Sequence, residues 1–226
     1  NAEKLNIDLK DIDFAVLSHA HYDHANGMEK FFEINRKATF YLQEGCGENC
    51  YFKKGFIRKY IGIPKGITKK YQDRIEYVSG VYTVADGIYL VSHSTPHLEQ
   101  IGKKEMMYQK TKLGWKPDNF CHEQSLVLDT DGGLVIFNSC SHGGVVNIIN
   151  EVKAAFPNKK ITALIGGFHI FNHPEAEIRE LAKLIKETGI ERIYTGHCSK
   201  ERGYRILREE LGDMAGQFYV GMELVF

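Results

Sequence analysis

Five short apolar runs set the limits on what this chain can fold into: Phe14 to Leu17, Ser125 to Leu128, Leu134 to Phe137, Ile161 to Ile165 and Arg192 to Tyr194. Each is too short for a helix, and together they are rich in Val, Ile and Leu, the pattern of strands buried on both faces. Between them lie segments with helical spacing. Pro174 suits a first helical position, Ile178, Leu181, Leu184 and Ile185 share one face, and Gly189 closes the segment. Asn26 to Ile34, Val145 to Phe156 and Glu201 to Leu211 read the same way, while DTDGG at 129–133 joins two strands as a hairpin turn. Strands alternating with helices predict a layered α/β domain.

With 226 residues, 43% of them hydrophobic and 26% charged, the chain can bury a sizeable core, and one domain is the simplest organisation. Its 29 Lys and Arg balance 29 Asp and Glu, so no global field draws it to nucleic acid or an anionic membrane. No stretch approaches the roughly 20 apolar residues of a membrane helix. The start, NAEKLNIDLKDID, lacks the basic-then-apolar layout of a signal peptide. The expectation is a soluble, cytoplasmic protein. Five cysteines are too few and too unevenly placed for a disulfide framework, and reduced thiols are expected.

The histidines follow the apolar runs. The first run leads into SHAHYDH, the Leu134 run into NSCSHGG, the Ile161 run into GGFH and the Arg192 run into TGHC. Strands that each end in a His-bearing loop would bring those loops to one edge of a sheet, where α/β folds gather ligands. A single histidine after a strand is more often a hydrogen-bonded structural residue; four such loops are a candidate site. Within HAHYDH, His19 and His21 can project to one side and reach one ion, with Asp23 and His24 a turn further on for a second. Imidazole and carboxylate suit Zn²⁺, with Mn²⁺ or Fe²⁺ as alternatives. Between two such ions a shared water loses a proton near neutral pH and becomes a nucleophile.

His-x-His-x-Asp-His after a buried strand resembles the signature of the metallo-β-lactamase superfamily. HEQSLVLDTDGGLVIFNSCSHGGVVNII at 122–149, GGFHI at 166–170 and YTGHC at 194–198 resemble one branch of it, the 7,8-dihydropterin-6-methyl-4-(β-D-ribofuranosyl)aminobenzene-5′-phosphate synthase-like proteins. The resemblance covers nearly the whole chain, more firmly from residue 120 onward than over 43–119. It implies an αββα sandwich with two divalent metal ions, zinc first among them, at one edge of two sheets. His19 and His21 would hold the first ion, Asp23 and His24 the second, and His197 would be the last ligand on the second. Relatives carry a Gly-His before the strand that here is SLVL and a bridging Asp after the next strand; this chain has CHEQ and SCSH there. His142 is the choice for the missing protein ligand and Cys140 a weaker one, because it stands where the bridging Asp would fall. His122 and Glu123 are candidates to support the ligands from behind. Only 18 residues precede His19, where the superfamily usually opens with several strands, so the N-terminal strands are expected to be lacking here and another chain or a further segment to complete the sheet.

His169, left over from the ligand count, is read as a proton donor to the leaving group or a substrate contact, with a supporting core histidine as the equal alternative. His93 and His97 are assigned to a loop rather than to metal. From Asn49 to Gln72 there are seven Lys and Arg, no acidic residue, and Tyr51, Phe52, Phe56 and Tyr60 among them. That stretch can steer and stack a phosphorylated, ring-bearing compound or form a solvated surface; a nucleic-acid groove would look similar but is disfavoured. Cys46 and Cys50 are read as free thiols near a lid or substrate loop spanning 43–119. The function expected is a di-metal hydrolase, or a related lyase or synthase, acting on a small anionic substrate, with Asp23 and His169 as its catalytic groups. The alternatives are a noncatalytic protein stabilised by metal and a flavo-diiron-type redox protein, which normally has Glu where His21 stands and carries a flavin domain.

Overall fold

A computed structural model describes all residues from Asn1 to Phe226. Its first strands are β1 (Phe14–Val16), β2 (Thr39–Gln43), β3 (Cys50–Lys54), β4 (Ile57–Tyr60), β5 (Ile75–Val78), β6 (Val81–Ala85) and β7 (Ile88–Ser92). Then come β8 (Met107–Thr111), β9 (Gly114–Pro117), β10 (Gln124–Thr130), β11 (Gly133–Asn138), β12 (Ile161–Gly166), β13 (Arg192–Thr195) and β14 (Ala215–Gln217). The helices are α1 (Tyr22–Ala25), α2 (Met28–Ile34), α3 (Ile67–Lys70), α4 (Glu99–Lys104), α5 (Val145–Ala155), α6 (Glu175–Glu187) and α7 (Lys200–Leu211). Two compact units result: residues 1–79 with 96–124, and residues 80–95 with 125–226.

In the first unit, β1, β2 and β5 form a parallel three-stranded sheet. Helix α2 crosses from β1 to β2 and buries Phe32, whose ring lies 5.4 Å from Phe40 and stacks on Tyr71 at 4.4 Å. Asn35 ends the helix inside the core. Its side-chain oxygen accepts from Lys37 N and Ala38 N, and its amide donates to Leu9 O and Ile12 O, so the polar group is satisfied where it is buried. The span 43–119, where a lid or substrate loop is expected, contains an antiparallel sheet of order β4-β3-β8-β9.

The second unit is built on a seven-stranded sheet of order β14-β13-β12-β11-β10-β7-β6. From β11 onward each strand is followed by a crossover helix, so β11, β12, β13 and β14 run parallel. One face of this sheet packs Leu134, Ile136, Leu164 and Ile193 against Ile148 and Ile149 of α5, Ile178 and Ile185 of α6, and Ile206 and Leu207 of α7. On the other face Val135, Ala163 and Tyr194 meet the C-terminal residues Phe218, Met222, Leu224 and Phe226. Burial on both faces is why these strands lack polar alternation in the sequence.

Two expectations need revision. The His-bearing loops do not share one sheet, because β1 pairs in the three-stranded sheet, whereas β11, β12 and β13 pair in the seven-stranded one. The helix expected over Asn26 to Ile34 is α2, which ends at Ile34 as expected but begins two residues later, at Met28, after the separate short helix α1.

Candidate metal-binding clusters

In the first unit the chain leaves β1 and turns sharply. Leu17 N donates to Tyr41 O, and the buried Gln124 side chain donates to Leu17 O at 3.0 Å, tying the run into SHAHYDH to the sheet. Tyr22 N donates to Ile61 O at 2.8 Å, and His21 forms an isolated antiparallel bridge with Gly62. The turn so fixed brings three imidazoles together, with the His19 ring 4.8 Å from that of His21 and 4.4 Å from that of His24. His19 is 0% exposed and His21 4%. Asp23 lies 3.4 Å from His24 Nε2, and this hydrogen bond, against the opposing effect of burial, holds its carboxyl down at about 2. The residues that the sequence assigns to both ions in this loop thus share one turn.

Behind that turn sits a group the sequence only partly anticipates. His122, fully buried, accepts a hydrogen bond at Nδ1 from Ala20 N at 3.2 Å, the amide between His19 and His21. Because Nδ1 accepts, Nε2 carries the proton and donates it to Asp118 Oδ2 at 3.1 Å. Asp118 also accepts from Phe120 N and Gln109 Nε2, both at 2.8 Å. Burial would raise its pKa, but His122 and the Phe120 amide prevail and hold it at about 2. Donor atoms of His21, Cys50, Asp118 and His122 all lie within 4.8 Å of one another. Sequence reading finds His122 as a supporting residue and misses Asp118, whose only signal is a lone acid four positions before that histidine. Cys46 and Cys50 are both free and buried, as expected of thiols, and burial pushes Cys46 up to about 12.

In the second unit the donors come from three strand tips. After β11, Asn138 Oδ1 accepts from Ser141 N at 2.7 Å and its amide donates to Ser125 Oγ at 3.0 Å, pinning the loop that carries Cys140 and His142. After β12, Gly166 and Gly167 lead to His169; a Cβ at Gly166 would meet Asn138 O at 1.7 Å. After β13, Ser199 Oγ accepts from Phe168 N at 2.9 Å, fastening this loop to the previous one. Ser141, His169 and His197 all adopt left-handed backbone, with φ of 51°, 51° and 49°, a conformation non-glycine residues take only when their surroundings impose it. The His142 and His169 rings are 4.3 Å apart. Donor atoms of Cys140, His142 and His169 fall within 4.8 Å of one another, and so do those of Cys140, His197 and Cys198. Cys198 is the residue here that sequence reading misses. Its thiol is pulled down to about 5, first by a hydrogen bond with the Cys140 thiol and then by His169, against the effect of burial.

The other histidines take structural parts. His93 Nδ1 meets Glu151 Oε2 at 2.8 Å, and the same carboxylate accepts from Ser94 N and Thr95 N. His97 is exposed beside Glu99. In the basic stretch, Lys53 Nζ lies 5.1 Å from the Tyr108 ring and 5.8 Å from Trp115, Arg58 lies over Trp115, and Lys65 over Tyr60. These ring faces are covered by the chain's own cations, while Phe56 at the tip of the β3–β4 hairpin is fully exposed.

Both clusters offer the donors that divalent metal takes, imidazoles and thiols with ligand atoms within 4.8 Å of one another, although His197 is exposed. The sheets, crossovers and clusters define the α/β metallo-β-lactamase fold, and residues 2–103 match the metallo-beta-lactamase superfamily. Over its whole length the chain is 28% identical to 7,8-dihydropterin-6-methyl-4-(beta-D-ribofuranosyl)-aminobenzene-5′-phosphate synthase of Methanocaldococcus jannaschii, covering 79% of that protein. An uncharacterized protein of the same organism is 26% identical over 83% of this chain and 69% of its own length. Among solved structures, the crystal structure of Tm1679, described as a metal-dependent hydrolase of the beta-lactamase superfamily, superposes with a TM-score of 0.82 at 27% identity. That match covers all of this chain and 83% of Tm1679. No helix is long and apolar enough to cross a membrane.

Proposed function

We propose that this chain is a metal-dependent hydrolase, or a closely related lyase or synthase, acting on a small anionic substrate. The observation that carries the reading is the single turn on which His19, His21, Asp23 and His24 stand with ring separations of 4.4 to 4.8 Å around His19. The ligands expected from the sequence are proposed unit by unit: His19, His21, Asp23 and His24 on this turn, and His142 and His197 in the second unit. Two divalent ions bound there would supply a Lewis acid and a water of lowered pKa. His122, by accepting from Ala20 N, fixes the backbone between the first two ligands, and Asp118 fixes His122. To His169, whose Nδ1 is buried without a hydrogen-bond partner, we assign the transfer of a proton to a leaving group.

The substrate class rests on the basic hairpin. Lys53, Lys54, Arg58 and Lys59 on β3 and β4 give a local positive field in a chain of zero net charge, which favours a phosphorylated ligand. The methanogen relative is named for a phosphate ester of a ring-bearing compound, which agrees. Lysine and arginine lie over Tyr60 and Trp115, whereas Phe56 is fully exposed, so Phe56 is the ring proposed to stack on the ligand. The test is turnover of a panel of phosphoesters and lactones by the zinc- or manganese-loaded chain and by Asp23→Ala. Turnover in the parent and none in the folded variant is expected; equal turnover in both removes the assignment.

A further inference from the structure

The tips of β11, β12 and β13, three adjacent parallel strands, carry two cysteines that the ligand set above leaves out. Cys140 is 3% exposed and Cys198 8%, and neither is in a disulfide. A buried cysteine is often only a small hydrophobe. Here the surroundings are polar: the sulfurs and a His197 nitrogen lie within 4.8 Å of one another, and Cys140 Sγ is within the same distance of donor nitrogens on His142 and His169. The loops are built to admit the sulfur. A Cβ at Gly167 would come within 2.5 Å of Cys198 Sγ and 2.8 Å of Ser139 O, so only glycine leaves the thiol its place. His169 N donates to Cys198 Sγ at 3.2 Å, which aims the sulfur as an acceptor, and the left-handed backbone at Ser141, His169 and His197 turns each loop toward the others. Beside this group the Nδ1 of His169 is buried without a hydrogen-bond partner.

We propose that Cys198 and Cys140, with His197, form a thiolate-rich site for one thiophilic divalent cation, of the zinc and cobalt class. Each thiol releases its proton to solvent as its metal–sulfur bond forms, so two thiolates, one neutral imidazole and a divalent ion make an uncharged site suited to burial. Soft sulfur ligands select zinc over manganese or magnesium, and three protein ligands leave a fourth position open for water or substrate. This deepens the metal-enzyme reading and rests on it only for the presence of metal.

The test is cobalt substitution of the full chain, read by metal content and by the near-ultraviolet thiolate-to-cobalt charge-transfer band. The parent should show the band, Cys198→Ser should lose about half of it, Cys140→Ser a similar share, and the double variant all of it. Cys50→Ser, in the other unit, should keep it. Bound cobalt without a band overturns the thiolate site while leaving the metal enzyme standing. A band lost in Cys50→Ser and kept in Cys198→Ser also overturns it. A band in a chain that turns over no substrate upholds this site and refutes the enzyme, whereas a chain that binds no cobalt refutes both. An absent band in the parent overturns the site even if a variant fails to fold, and a band that is present is assigned to this site by its loss in either cysteine variant and its survival in Cys50→Ser.

Discussion

The two units collect similar donors by opposite routes. In the first, four come from six consecutive residues, placed by one turn at the end of a strand and steadied from behind by Asp118 and His122. In the second, donors arrive one or two at a time from three strand tips, and left-handed residues and tight glycines aim them. A contiguous motif owes its geometry to local turns, whereas a dispersed one owes it to strand order and to close backbone approach. The dispersed cluster also holds two thiols within reach of each other, where the contiguous turn itself has none.

Substitutions can break or sharpen that contrast. Asp23→Ala strikes the contiguous turn and should have the largest effect: activity falls to background and metal content drops, with the circular dichroism spectrum unchanged. His169→Ala strikes the dispersed cluster and should lower kcat by about 10²-fold, the worth of a positioned proton donor. If its kcat equals the parent's, the proton-transfer role is lost and a supporting role remains. Asp118→Asn touches neither set of ligands directly. Weakening the bond that orients His122 should reduce metal affinity by about 10- to 100-fold, measured by competition with a chromophoric chelator. An unchanged affinity would make the contiguous turn self-sufficient.

Two smaller effects probe the second unit's frame. Gly167→Ala forces a Cβ against Cys198 and Ser139 and should destabilise the fold by about 1 to 3 kcal/mol, seen as a lower Tm. Glu151→Gln bears on acid stability. Burial opposes the Glu151 charge, but hydrogen bonds from His93 and Thr95 prevail and hold its pKa below the ordinary 4.5. A depressed folded value means that the carboxylate's contribution is present above about 4.5 and is lost as pH falls through the lower value. The variant should be less stable near neutrality by about 1 kcal/mol and flatter in its acid profile.

The strand and helix grammar is legible from residue 120 onward, because doubly buried strands and amphipathic crossovers leave apolar runs and 3.6-residue faces. The bounds of β12 and α5 follow the sequence to within a residue. The stretch 43–119 is less legible: its strands are short and carry lysines and aromatics on solvated faces, so neither period stands out. At the candidate site, SHAHYDH announces itself by crowding. Asp118 and Cys198 do not, since each acts through partners distant in the chain, Ala20 by way of His122 in one case and Cys140 with His169 in the other. Which sheet β1 would join was equally invisible, because hydrogen-bond partners of a three-residue strand leave no mark on its own residues.

Metal stoichiometry of the parent and of Asp23→Ala, measured by mass spectrometry of the purified full chain after zinc loading, tests the central claim most directly. The account predicts two ions per parent chain and a loss of about one in the variant, as expected for a two-metal site that loses a ligand. A parent chain that retains no zinc, or a variant that retains the full complement, would contradict it.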